Sequence, residues 1–163
     1  MDEKQISVLV EEIVRGAKGG SGCCGKHKMT LEKARALTKA VEARAREMGV
    51  NAVIAVADVG GNPVSVQAMD GAYLASWDVA LQKSYTVVAL KMSTAKLAEL
   101  AAPGGSLYGI QFTNQGKIVI FGGGEPLESG GKIVGGLGVS GGTAEQDTAL
   151  AAYGRQVFKE VEC

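Results

Sequence analysis

Glycine constrains this chain more than any other residue. It occurs 24 times in 163 residues, about twice its usual share, and most copies fall in two clusters, at 16–25 and 122–142. The first cluster, Gly-Ala-Lys-Gly-Gly-Ser-Gly-Cys-Cys-Gly, has no apolar periodicity and reads as flexible coil. It divides the chain into three expected parts: an amphipathic helix over 1–15, a linker over 16–28, and one compact domain over 29–163. In the opening segment Ile6, Leu9, Val10, Ile13 and Val14 recur at the spacing of one helical face. Asp2 and Glu3 suit the positive end of that helix, and Gly16 stops it.

Composition sets outer bounds. Lysine plus arginine, 17, equals aspartate plus glutamate, 17, so no broad field attracts nucleic acid or an anionic membrane. No run of about 18 apolar residues is present to span a bilayer, and the N-terminus lacks the pattern of a secretory signal. Three cysteines, two of them adjacent as Cys23-Cys24, do not make a disulfide framework. A reducing cytoplasm is the expected setting.

A lone helix of about 14 residues is marginal in water, and its linker reaches roughly 20 Å, so the helix needs something to bind. It could dock on its own domain. A membrane surface suits it poorly, because its polar face is net acidic and it lacks tryptophan and phenylalanine. It could also lie in a groove on a partner, with the apolar stripe as anchors. In pattern it resembles the encapsulation peptides of bacterial microcompartment cargo, which implies shell or cargo proteins as partners of residues 1–15 and a microcompartment lumen as location.

Past the linker, Thr30 is a good N-cap for a helix to about Met48, ended by Gly49. Ala52–Ala57 and Val64–Met69 flank Asp58-Val59-Gly60-Gly61-Asn62-Pro63, which predicts a hairpin. Helices are expected over 74–89 and 94–101, with Pro103-Gly104-Gly105 ending the second. Short strands are expected over 108–112 and 117–121, turning at Asn114-Gln115-Gly116, then a strand over 132–139 and a helix over 144–161. This order predicts an α+β domain with one mostly antiparallel sheet and helices packed on it.

Gly136-Leu137-Gly138-Val139-Ser140-Gly141 matches G-x-G-x-x-G and precedes a helix that Thr143 and Gln146 would cap. A dinucleotide fold also needs a further parallel strand with an acidic residue for the ribose. No such strand follows in this sequence, so the glycines are expected to let strand and helix pack closely, or a flat ligand approach the backbone.

Met29-Thr30-Leu31-Glu32-Lys33-Ala34, Asp58 through Pro63, Met69-Asp70-Gly71-Ala72 and Ser76 through Thr86 follow in order. Gly122-Gly123-Gly124-Glu125-Pro126 and Gly135 through Gly142 come next, leading to Asp147. Together they resemble the GlcG/HbpS family, which also supplies the C-terminal domain of PduO-type corrinoid adenosyltransferases. The resemblance runs from Met29 to the last helix. It implies a profilin-like fold, self-assembly into homo-oligomers of dimer size or larger, and haem binding, with haem b as cofactor. It also strengthens the microcompartment reading. Adenosyltransferase activity is not implied, since the likeness is to the C-terminal domain alone.

His27 is the chain's one histidine. A haem iron could take His27, a cysteine thiolate or Met69 as axial ligand, and the histidine could equally be solvated beside the linker or reach a neighbouring subunit. Zinc on Cys23, Cys24 and His27 lacks an evident fourth ligand, and adjacent cysteines chelate poorly. Lys83 could pair with a haem propionate, or with Asp70 or Asp78. Asp70 itself belongs to the family motifs. Gly123, Gly124 and Pro126 are expected to shape a loop near the pocket. Tyr73 and Trp77, one helical turn apart, read as core or subunit interface. Two functions stay open: a haem-binding protein that supports haem-, corrinoid- or redox-linked metabolism, and a non-catalytic assembly or small-ligand-binding protein without haem.

Overall fold

A computed structural model describes residues 28–162. The expected helix over 1–15, the rest of the linker and His27 lie outside them. Helix α1, Leu31–Glu47, begins where Thr30 Oγ1 accepts the Lys33 N–H at 3.2 Å. It leads into β1, Val53–Asp58, and β2, Pro63–Ala68, which pair antiparallel. In their turn the Asp58 carboxylate accepts the N–H groups of Gly60 and Asn62 at 2.8 and 3.0 Å. Helices α2, Ser76–Leu90, and α3, Thr94–Ala101, follow. Then come strands β3, Gly124–Ser129, and β4, Lys132–Ser140, and last α4, Ala144–Glu162.

The four strands form one antiparallel sheet in the order β2-β1-β4-β3. Alternation along β1 sends Ile54 and Val56 to one face, where they meet Leu37 and Val41 of α1 and Leu150 and Phe158 of α4 in the main core. Val53 and Ala55 turn the other way, onto Ala80 of α2. Helices therefore cover both faces, as the α+β reading expects.

Helix α2 crosses β4 closely because β4 has no side chains there. A Cβ at Gly136 would collide with the Ser84 carbonyl, and one at Gly138 with the Ala80 carbonyl, both backbone atoms of α2. The G-x-G-x-x-G match is thus a packing surface. Thr143 caps α4 as expected, in a reciprocal box: its hydroxyl accepts the Gln146 N–H at 3.2 Å, and Gln146 Oε1 accepts the Thr143 N–H at 2.9 Å.

The middle of the chain departs from expectation. Residues 108–121 contain two 3-10 turns, Ile110–Phe112 and Asn114–Gly116, in place of two strands. One of the two edge strands is β3, which runs through the glycine–proline segment expected to be a loop. Proline fits there because an edge strand has one side free of ladder bonds. The 117–121 segment is pinned from the side: Val119 N–H donates to Thr86 Oγ1 at 3.0 Å.

Candidate functional site

The chain's chemistry gathers at the end of the sheet where β1 starts and β4 stops. The inner face of α2 carries Ser76, Ala80, Lys83, Ser84 and Val87, a stripe of small residues with one lysine in it. Lys83 has no solvent exposure. Its Nζ donates to the Val139 carbonyl at 2.7 Å and to Asp147 Oδ2 at 2.9 Å. The Phe121 ring lies over the ammonium, its centroid 4.9 Å away. Burial pulls the lysine below its ordinary 10.5, and the Asp147 carboxylate opposes that without cancelling it. The expected partners Asp70 and Asp78 are replaced by Asp147, which the first turn of α4 brings to the same spot.

Asp147 is bound at both oxygens, because Oδ1 accepts the Gly142 N–H at 2.9 Å. Gly123 leaves room for the pair, since a Cβ there would press on Lys83 Nζ and Asp147 Cβ, at 2.6 and 2.8 Å. The Gly124 N–H donates to Thr94 Oγ1 at 2.9 Å. Gly124 and Pro126 are strand residues of β3, with Pro126 opposite Gly136, which corrects the loop expected of them. Met69 is buried, its sulfur accepting the Ala52 N–H at 3.4 Å. Asp70 is exposed in the segment that follows β2.

Beside this network opens a cleft of about 440 Å³, within the size range of small-molecule sites. Gly49, Asn51, Gly71, Tyr73, Gly142 and Gln146 are among its lining residues. Tyr73 is 71% exposed, so it is neither core nor closed over by its own chain. The sequence does not single out Asn51, and it marks Tyr73 only as core or subunit interface and Gln146 only as a helix cap. Nor does it mark Asp147 as a partner, although a lysine inside a small-residue stripe signals a buried counter-ion somewhere.

The opposite end of the sheet carries the start of the domain. Met29 is buried against Gly135, which pairs with Asp58 at the last position of β1. Slight burial works against ionisation of Asp58, but hydrogen bonds from Asn62 and Gly60 and the Lys28 charge outweigh it and hold the carboxyl below 3.8. Met69, Asp70, Lys83, Gly123 and Gly124 thus lie toward the cleft end, while Lys28 lies at the far end, about 17 Å away along the five steps of β1.

A haem site needs a wall that a flat macrocycle can approach and a donor for the iron. The glycines of the cleft fit the first need. The second is poorly met among residues 28–162: they contain neither histidine nor cysteine, and none of their methionines, Met29, Met48, Met69 and Met92, lines the cleft. Tyr73 is the one lining side chain of a type that ligates haem iron.

A four-stranded antiparallel sheet covered by helices, with a glycine-walled cleft at one end, defines a small α+β domain of ligand-binding build. Residues 29–156 match the family described as haem degrading protein HbpS-like, and the chain belongs to that family. It is 47% identical over 133 residues to an uncharacterised 15.0 kDa protein of the dhaT–dhaS intergenic region of Citrobacter freundii, covering 82% of this chain and 94% of that one. To the corrinoid adenosyltransferase PduO of the same organism it is 40% identical over 123 residues, 76% of this chain but only 37% of that protein. Among solved structures it is similar to a PduOC:haem complex, with a TM-score of 0.77 and 36% identity over 80% of this chain and 94% of that one.

Proposed function

We propose that this protein binds haem b at the end-of-sheet cleft, with the iron held by His27. The cleft's glycine walls, in a member of the HbpS-like family, carry the reading. A relative that shares the fold has been crystallised with haem. His27 is the chain's single imidazole. One peptide unit of about 3.8 Å joins it to Lys28, and Lys28 lies at the far end of the sheet. That placement favours a homo-oligomer in which His27 of one copy serves the cleft of another. Asp70, beside the cleft residue Gly71, would border the macrocycle. Lys83, Gly123, Gly124 and Pro126 would act from behind it, since all four are buried.

Residues 1–15 and the linker support a role as microcompartment cargo, addressed through the apolar stripe to shell or cargo proteins, in haem-, corrinoid- or redox-linked metabolism. The PduO relatives are consistent with that setting.

Titration of haemin into the purified chain tests the first reading. A sharp Soret band that weakens in His27→Ala is the expected result. A flat titration leaves a non-catalytic assembly or small-ligand protein. A band unchanged in His27→Ala but lost in Tyr73→Phe moves the iron ligand to Tyr73. Mixing His27→Ala with a cleft-blocked Gly142→Trp chain should restore part of the signal, since each supplies what the other lacks.

A further inference from the structure

Asp147 is one residue doing two jobs at once. Through Oδ2 it neutralises the fully buried Lys83, and through Oδ1 it holds the Gly142 amide. Gly141, Gly142 and Thr143 form one wall of the cleft. That wall sits tightly on the start of β1, where a Cβ on Gly141 would strike the Asn51 carbonyl. Lys83 in turn is fixed by the Val139 carbonyl, one residue before the end of β4 and its turn. Neither charged side chain is among the cleft's lining residues. The chain of contacts therefore runs from α2, through a buried ion pair, to a backbone N–H of the cleft wall.

We infer that the Lys83–Asp147 pair is a positioning device: it sets the shape of the cleft by anchoring the Gly142 amide, and it does so without touching whatever the cleft binds. Lys83 keeps Asp147 aimed, and the carboxylate is the strut. For haem the inference rests on the reading proposed above, whereas the strut itself can be tested without any ligand.

The experiment separates the strut from the charge. In Lys83→Met with Asp147→Asn, both charges go but an acceptor oxygen remains for the Gly142 N–H. In Lys83→Met with Asp147→Leu, both charges and the acceptor go. Amide hydrogen exchange at Gly142 and Thr143 is read in the full-length chain, with the amides of β1 as internal reference. One net hydrogen bond corresponds to about a tenfold change in an opening equilibrium. The leucine form is expected to exchange about tenfold faster than the asparagine form at Gly142, with β1 matched, and to bind haemin about tenfold more weakly. Equal exchange at Gly142 in the two forms overturns the inference, as does a rise that is uniform over β1. A clear difference at Gly142 in chains that give no Soret band at all supports the strut and removes the haem reading. Should the leucine form fail to fold, Asp147→Ala with Lys83→Met deletes the same acceptor without added bulk, and the same comparison decides.

Discussion

A lysine shut away from water costs several kcal/mol to desolvate, and only a well-made ion pair repays it. Lys83 has a pair that repays part of this cost, so the two ways of removing it should differ sharply. Lys83→Met alone strands a buried carboxylate on one backbone amide and is expected to cost about 3–5 kcal/mol. Adding Asp147→Leu removes the stranded charge and should recover most of that loss. Urea unfolding of the two variants measures both numbers, and a single mutant as stable as the parent would mean the pair is not buried in solution. The lysine also gives stability a pH slope. Its folded value lies below 10.5 while the unfolded chain titrates near 10.5. Between those two values the unfolded chain holds more protons, so stability from this group rises with pH, and below both it is constant. Relative to Lys83→Met with Asp147→Asn, the parent's unfolding free energy should therefore climb as pH approaches 10.5 from below, and a fall there would contradict the assignment.

At the scale of elements, what was legible in the sequence was what depends on local signals. Thr30 and Thr143 mark helix starts through their own hydroxyls, and Asp58 to Asn62 closes a turn within five residues. Those elements stand where pattern put them. The segment 108–126 departs from its local signals because its structure is decided at a distance. Ile118, Val119 and Ile120 look like a strand, yet Thr86 on α2 holds Val119 from the side, and Gly124 and Pro126 enter the sheet because β4 offers them an open edge. Cross-strand context overrides β-propensity in this way. Thr86→Val should consequently cost about 1–3 kcal/mol by leaving the buried Val119 N–H without its acceptor. Hydrogen exchange should place the loosening at 117–121. The glycines of β4 make a stricter test of packing: Gly138→Ala drives a methyl into the backbone of α2 and should also cost about 1–3 kcal/mol, because a helix backbone cannot move aside as a side chain can. The site was legible in its members but not in its geometry. Lys83, Met69 and Gly123 were picked out, but the sequence offers no way to see that Asp147 joins the first and that Ala52 occupies the sulfur of the second.

For the molecule as a whole, the sheet's two ends carry different duties, and this decides what truncation should do. Among the described residues the core is built from side chains between Met29 and Phe158, and removing residues 1–27 is predicted to leave it intact. The shortened chain is expected to keep its far-UV spectrum and to melt within a few degrees of the parent, because 1 kcal/mol moves the midpoint of a domain this size by only about 2–8 °C. Removing residues 1–15 should leave haemin binding intact while abolishing co-purification with microcompartment shells. Removing 1–27 should abolish both, since His27 leaves with the linker. The two deletions are informative together. If loss of residues 1–15 already melts the domain, the helix docks on its own core and the address reading fails. If haemin binding survives loss of 1–27, the iron ligand lies in the domain, where Tyr73 is the lining residue able to serve. Because Lys28 lies toward the Asp58 end and the cleft opens at the other, a loss confined to the longer deletion would also favour a haem-binding unit with more than one copy of the chain.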